Sequence, residues 1–210
     1  MNAPADPAVP TRDRIRAAAL DLFGDRGYDG VSMAELAERV GVAKPSLYNY
    51  YASKEELLLD LVEEGIGQWA EFCMAPFERA ASFERQLADH LRLVIDFARE
   101  RPHVVAVFHH ATTHVRGELA ERVEAQVRAT EERIRGRIHG RIEAALAAGE
   151  LDAETAEDVH LFLGVFFHGL LFLQTDCPRQ LPPTHARLEQ LWRFLFRALS
   201  GRLPQESIRP

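Results

Sequence analysis

Cysteine is scarce in this 210-residue chain: Cys73 and Cys177 stand far apart, with no C-x-x-C spacing. That excludes a disulfide framework or a cysteine-based zinc site, and predicts a reducing, cytoplasmic setting. Lysine is scarcer still for its class, with only Lys44 and Lys54 among 25 basic residues. The sequence has no G-x-S-x-G and no G-x-x-x-x-G-K-[ST], so neither a nucleophile elbow nor a phosphate loop is written in it and no catalytic activity is expected. No cofactor and no metal are expected either. Long apolar runs are missing: Leu161 to Leu173 is interrupted by Gly164, His168 and Gly169 and falls short of the roughly 20 residues a bilayer needs. No membrane partner follows. The first residues, MNAPADPAVP, lack the basic and apolar regions of a signal peptide, and residues 1–10 read as a disordered tail. Excess positive charge is absent as well. The net charge of -7 argues against indiscriminate nucleic-acid binding, so any DNA contact must be local and geometrically specified.

What is present is helical periodicity. Apolar residues recur every three to four positions from Thr11 onward, with neither strand alternation nor an internal repeat, so the fold is expected to be all-α with about nine helices. Ile15, Ala18, Ala19, Leu22 and Phe23 mark the first helix, with Thr11 as its N-cap and Gly27 as its end. Ser32-Met33-Ala34-Glu35 and Ser53-Lys54-Glu55-Glu56 are capping boxes, in which a hydroxyl and a carboxylate satisfy free N–H groups at a helix start. Between them, Gly41 stops a short helix, and Lys44-Pro45 opens another over roughly 45–51. Further helices are predicted at about 53–75, 82–101, 103–115, 117–148, 153–175 and 184–201, punctuated by Pro76, Pro102, Gly117, Gly149, Pro178 and Pro182-Pro183.

A two-turn helix, a glycine turn and a short second helix make a helix-turn-helix, whose second helix fits a major groove about 12 Å wide. The run from Arg14 to Leu58, RIRAAALDLFGDRGYDGVSMAELAERVGVAKPSLYNYYASKEELL, resembles the DNA-binding domain of the TetR/AcrR family, with Phe23, Gly27-Tyr28, Ser32, Ala37, Gly41-Val42, Leu47-Tyr48, Tyr50 and Ser53-Lys54 at that family's spacings. On the residues themselves, Leu47 and Tyr51 share a face that can anchor the recognition helix. Lys44, Ser46, Tyr48, Asn49 and Tyr50 offer donors to base edges or phosphates. Lys54, a compact ammonium at a helix start, reads as a phosphate clamp. The resemblance implies that Ser32, Tyr50 and Lys54 contact backbone phosphates, while Lys44, Pro45, Ser46, Tyr48 and Asn49 face the groove. Ala43 departs from the family, which often has Ser or Thr there. Residues 1–54 carry seven basic and seven acidic side chains, so placement rather than net charge must supply affinity for double-stranded DNA.

The expected organisation is a tail over 1–10, a three-helix helix-turn-helix domain over 11–54, and a ligand-binding and dimerisation domain over 55–204. The helix at 153–175 is apolar nearly all round, which requires burial on every side. Leu161, Val165 and Phe172, paired with Leu188, Leu191, Trp192 and Leu195 of the last helix, are therefore expected to form a four-helix bundle with a second copy. His90, Phe108, His109, His110, His114, Phe166 and His168 are candidates to line a site for a largely apolar effector. His160 is a further histidine near that region. The His110-x3-His114 spacing is the alternative, a metal site. Arg128, Arg133, Arg135, Arg137 and Arg141 read as a solvated face paired with Glu131, Glu132 and Glu143, with an anionic ligand as the other option. The resemblance implies a repressor released from a palindromic operator by a small molecule. An activator, a co-repressed regulator or a metal sensor would use the same parts, and a partner-binding protein with a vestigial DNA module would not depend on Tyr50 or Lys54.

Overall fold

The computed structural model describes residues 9–176 and 184–208. The expected tail lies almost wholly outside them, as do Cys177, Pro178 and Pro182-Pro183. Among the described residues all regular structure is helical: α1 (Thr11–Arg26), α2 (Met33–Val40), α3 (Lys44–Tyr48), α4 (Lys54–Met74), α5 (Phe83–Glu100), α6 (Pro102–Thr113), α7 (Glu118–Ala147), α8 (Ala156–Asp176) and α9 (His185–Ser200). They fall into two compact units. One runs to Gly67 and adds Arg101–Arg128; the other is Gln68–Glu100 with the chain from Ala129 onward. These units divide the chain differently from a boundary at 54/55, because α6, from the middle of the sequence, packs on α1.

In the first unit α1 buries Ile15, Ala19, Leu22 and Phe23, one face of a 3.6-residue helix. Its N-cap is Pro10, one residue before the expected Thr11, and no side chain caps it. Gly27 ends it at φ +73, with its N–H bonded to the Phe23 carbonyl. For α2 the Ser32 hydroxyl accepts from the Glu35 N–H at 3.2 Å. The other half of that capping box is diverted: Glu35 pairs with Arg26 at 2.5 and 3.0 Å. The second box forms, but its carboxylate reaches one residue further back, Glu56 accepting from the Ala52 N–H at 2.7 Å. Gly41, in the left-handed region at φ 77 and ψ 35, closes α2 and turns the chain toward α3.

α6 seats against α1 through a glycine. A Cβ on Gly24 would lie 2.9 Å from the His103 Cβ, closer than two carbons can pack. His103 in turn places Nδ1 3.0 Å from Asp21 and Nε2 3.1 Å from Asp25. Gly24→Ala is therefore expected to destabilise the protein by about 1–3 kcal/mol as overpacking. In an exposed helix the same change would stabilise by about 1 kcal/mol, so the sign in a urea unfolding series decides.

In the second unit α5 is buried along most of its length, with Leu87, Leu91, Val94, Ile95 and Phe97 enclosed, and packs on α8 and α9. The chain beyond α9 folds back as a strap: Glu84 accepts the backbone N–H groups of Gln205 and Glu206 at 2.5 and 2.6 Å, and Ile208 is buried. By length and composition the 156–173 segment of α8 is long and apolar enough to cross a bilayer, a longer stretch than the interrupted run from 161 to 173. It nevertheless buries Val159, Leu163, Phe167, Leu170 and Leu171 inside this unit.

Candidate nucleic-acid interface

α3 is five residues long, shorter than the expected 45–51, and it leads into a turn in which the N–H groups of Tyr50 and Tyr51 share the Leu47 carbonyl, at 3.0 and 3.2 Å. Leu47 is wholly buried and holds α3 down, while Lys44, Pro45, Tyr48, Asn49 and Tyr50 are exposed and Ser46 is half-buried. An aromatic side chain left in water on so short a helix gains nothing from the core. Ser32, at the start of α2, is exposed with its oxygen engaged as the cap.

Tyr51 points the other way and is buried. Its hydroxyl donates to Asp60 at 2.6 Å and accepts from Arg12 at 3.2 Å. Burial first, then the Asp60 hydrogen bond, pushes its phenol up to about 12. Asp60 also pairs with Arg12 and Arg16, and Arg16 reaches Glu64. This network ties α1 and the exit of α3 to α4. None of its charged members was singled out from sequence, although Arg12 and Arg16, and Asp60 and Glu64, are each one helical turn apart and so of complementary spacing.

Lys54 opens α4. Its Nζ donates to the carbonyls of Tyr28 and Val31 at 3.0 and 3.1 Å and lies 4.0 Å from the Tyr28 ring centroid.

The histidine candidates divide between the two units. Phe108, His109, His110 and His114 belong to the first, where His110 sits over Gly27 and its ring lies parallel to that of His114 at 4.8 Å. The His114 Nδ1 is 2.7 Å from the Thr113 hydroxyl. Among the described residues no group of three or more His, Cys, Asp or Glu is arranged to hold a metal ion. His90, Phe166 and His168 belong to the second unit. His168 contacts the Gly164 carbonyl at 2.9 Å and faces Glu131 at 3.6 Å. His160 packs with His139 through a 3.4 Å nitrogen–nitrogen contact. Of the α7 arginines, Arg135 pairs with Glu157 at 2.7 Å, Arg137 with Glu78, and Arg141 with the Gln86 side chain and the Ala81 carbonyl, while Arg133 donates to the Thr130 hydroxyl of its own helix at 3.0 Å.

His90 is enclosed between Phe77 and Phe167, at 5.4 and 4.4 Å between ring centres, and its Nδ1 has no hydrogen-bond partner. Burial pushes its imidazole down to about 4, with the Cys73 backbone opposing. A folded value below the ordinary 6.5 means that protons bind the unfolded chain first. The stability this group supports is therefore complete above pH 6.5 and is lost as pH falls toward 4, by about 3 kcal/mol over the interval. In His90→Leu the decline of the thermal midpoint between pH 6.5 and 4 is expected to flatten; an unaltered slope would refute the assignment.

Residues 15–61 match the family model described as "Bacterial regulatory proteins, tetR family". The chain is 40% identical over 60 residues to the HTH-type transcriptional activator FasR of Mycolicibacterium smegmatis, covering 29% of this chain and 27% of that protein. Across the curated relatives, the matched segments span between 27% and 48% of each relative's length. Over most of its length the chain shares its fold with a putative tetR family transcription regulator from Shewanella sp. PV-4, at a TM-score of 0.71 and 21% identity, covering 92% of this chain and 100% of that one. It shares it equally with AibR, solved with isovaleryl coenzyme A and operator DNA, at a TM-score of 0.69 and 20% identity with the same coverage.

Proposed function

We propose that the chain, whose residues 15–61 match the tetR family of bacterial regulatory proteins, is a homodimeric transcriptional repressor released from a palindromic operator by a small molecule. The observation that carries this reading is the outward display of Lys44, Pro45, Tyr48, Asn49 and Tyr50 on α3 and the turn that follows it, pinned by the buried Leu47. Two such helices about 34 Å apart meet successive major grooves on one face of a duplex. The reaction is recognition alone and takes place in the cytoplasm, where the operator is. Ser32, Ser46 and the α3 residues supply the donors.

Dimerisation through α8 and α9 is supported by Leu161, Val165 and Phe194, which stand 69%, 68% and 76% exposed, flanked by Phe162 and Leu173. Large apolar side chains left this exposed favour burial against a partner. Phe172, Leu188 and Leu191, also expected there, are half-buried. Trp192 and Leu195 are instead buried within the chain, because the Trp192 indole N–H donates to the Glu206 carbonyl at 2.7 Å. Phe194 takes their place at the surface. Val165→Glu is expected to yield monomers in sedimentation velocity, with operator affinity falling at least about 100-fold as the second half-site contact is lost; a dimer that survives this change uses another face.

The effector reading draws on AibR, whose structure holds an acyl thioester of coenzyme A beside operator DNA. The apolar surroundings of His90 in the second unit favour a mostly apolar effector, and an activator or co-repressed mode would use the same parts. Selection of genomic DNA fragments on the purified protein tests the whole reading. Enrichment of a palindrome is the expected result, and its release by an added ligand separates repression from co-repression. A folded dimer that enriches no sequence would overturn it.

A further inference from the structure

Resting on the DNA-binding reading, we propose that Arg14 is a positioning residue for the recognition helix: from α1 it holds the peptide group through which the chain leaves α2 for the turn before α3. The last carbonyls of a helix have no partner within it. At the end of α2 the turn itself serves two of them. The Gly41 N–H bonds to the Ala37 and Glu38 carbonyls at 3.0 and 3.1 Å, and the Val42 N–H to the Ala37 carbonyl at 3.0 Å. The Val40 carbonyl is taken up by a side chain instead, the Arg14 Nη2 donating to it at 2.5 Å. A guanidinium at this place also sets positive charge against the negative end of α2.

The Val40 C=O and the Gly41 N–H belong to one planar peptide group. That plane is therefore held at both edges, its N–H by α2 and its oxygen by α1. Gly41, in the left-handed region at φ 77 and ψ 35, turns the chain from that plane, and Lys44 opens α3 three residues later. A Cβ on Gly41 would meet no heavy atom within 4 Å, so packing around the glycine does not fix the turn and its hydrogen bonds must. Arg14 is a firm post for this purpose, because its neighbour Ile15 is wholly buried. The arginines of α1 divide their work: Arg12 and Arg16 pair with Asp60 of α4, while Arg14 reaches α2. Arg14 thereby sets the direction in which the chain leaves α2 relative to α1, and α3 follows that direction.

The test uses the full-length protein, the operator recovered from genomic selection, and the variants Arg14→Met and Arg14→Lys, each well below its own unfolding temperature. Operator affinity is measured across a salt series and against operators carrying single-base changes. Arg14→Met keeps most of the apolar stem and loses the donor. It is expected to weaken operator binding about tenfold, the size of one impaired base contact, by the same factor at every salt concentration. The slope of log Kd against log salt stays unchanged, and the preference for the operator over its single-base variants shrinks. Arg14→Lys keeps a donor and a charge and should recover most of that preference.

A slope lowered by about 0.9 per subunit in Arg14→Met would make Arg14 a phosphate contact and overturn the proposal. A variant that only unfolds earlier, with wild-type affinity and discrimination when folded, would overturn it too, since the contact would then serve stability alone. Discrimination that Arg14→Lys fails to recover would assign the loss to the stem rather than the hydrogen bond, with the same consequence. If the wild-type protein selects no operator at all, the functional reading fails and this role with it; a wild type that binds specifically, matched by Arg14→Met, sinks the role alone.

Discussion

Tyr48→Ala is expected to weaken operator binding by about 10- to 100-fold, the range of a base-edge contact worth about 1–3 kcal/mol, while the thermal midpoint stays where it was. Tyr48 is 42% exposed, and Leu47, which is fully buried, anchors the helix in its place. Removing the phenol deletes surface without opening a cavity. If Tyr48 reads a base, affinity for the operator should fall more than affinity for unrelated DNA, and specificity should relax at one base position per half-site. If it touches only phosphate, both affinities fall together and the salt slope drops. A midpoint falling with affinity unchanged would mean that Tyr48 packs rather than recognises. Tyr51→Phe is the contrasting change: its hydroxyl is held by Asp60 and Arg12 inside the unit, so it should cost stability before specificity.

Ending the chain after Leu203 should produce the largest loss of stability, about 4 kcal/mol, or a fall of roughly 15 °C in the unfolding of the unit that carries the strap. Several interactions go at once. Glu84, only 8% exposed, loses the two backbone donors that satisfy its carboxylate; Arg85 loses the Ser207 carbonyl at 2.9 Å; Trp192 loses its acceptor. Ile208, 2% exposed, takes its side chain with it, and burying such a side chain contributes about 1.5–3 kcal/mol. Both tryptophans of the protein, Trp69 and Trp192, lie in this unit, so tryptophan fluorescence follows its unfolding directly. Glu84→Gln in the full-length chain keeps an acceptor and should lose less than half as much. A truncated chain that melts like the intact one would show that the strap rests on the surface without supporting it.

These expectations separate what is legible in the sequence from what is not. The helix-turn-helix is legible because its instructions are local: Ser32 and Ser53 cap from within three residues, Gly41 adopts the left-handed turn, and Leu47 and Tyr51 share a face. The setting of Lys54 is not, because its partners, Tyr28 and Val31, are 26 and 23 residues away. From the sequence alone it is a cation at a helix start. The histidines look like one set because they share a residue type and an apolar neighbourhood. The fold assigns them to different units and different work, with His168 against the Gly164 carbonyl and Glu131, His110 against Gly27, and His90 enclosed by phenylalanines.

The last helix shows the same limit. Its stripe of Leu188, Leu191, Trp192, Leu195 and Leu199 says that one face is covered, but periodicity does not distinguish a subunit partner from the chain's own strap. Glu206 and Ile208 settle Trp192 inward, and Phe194, on what reads as the polar side, is left in water.

By itself, then, the sequence determined the helical class, the helix boundaries to within a few residues and the side chains that α3 turns outward, because capping, turn chemistry and the 3.6-residue period act over one or two turns. Tertiary structure alone decided which cations are already paired, which aromatic faces remain open on α8 and α9, and which enclosed histidine keeps an unpaired Nδ1. Those properties depend on groups brought together from 20 to more than 100 residues apart, and no local pattern encodes such distances.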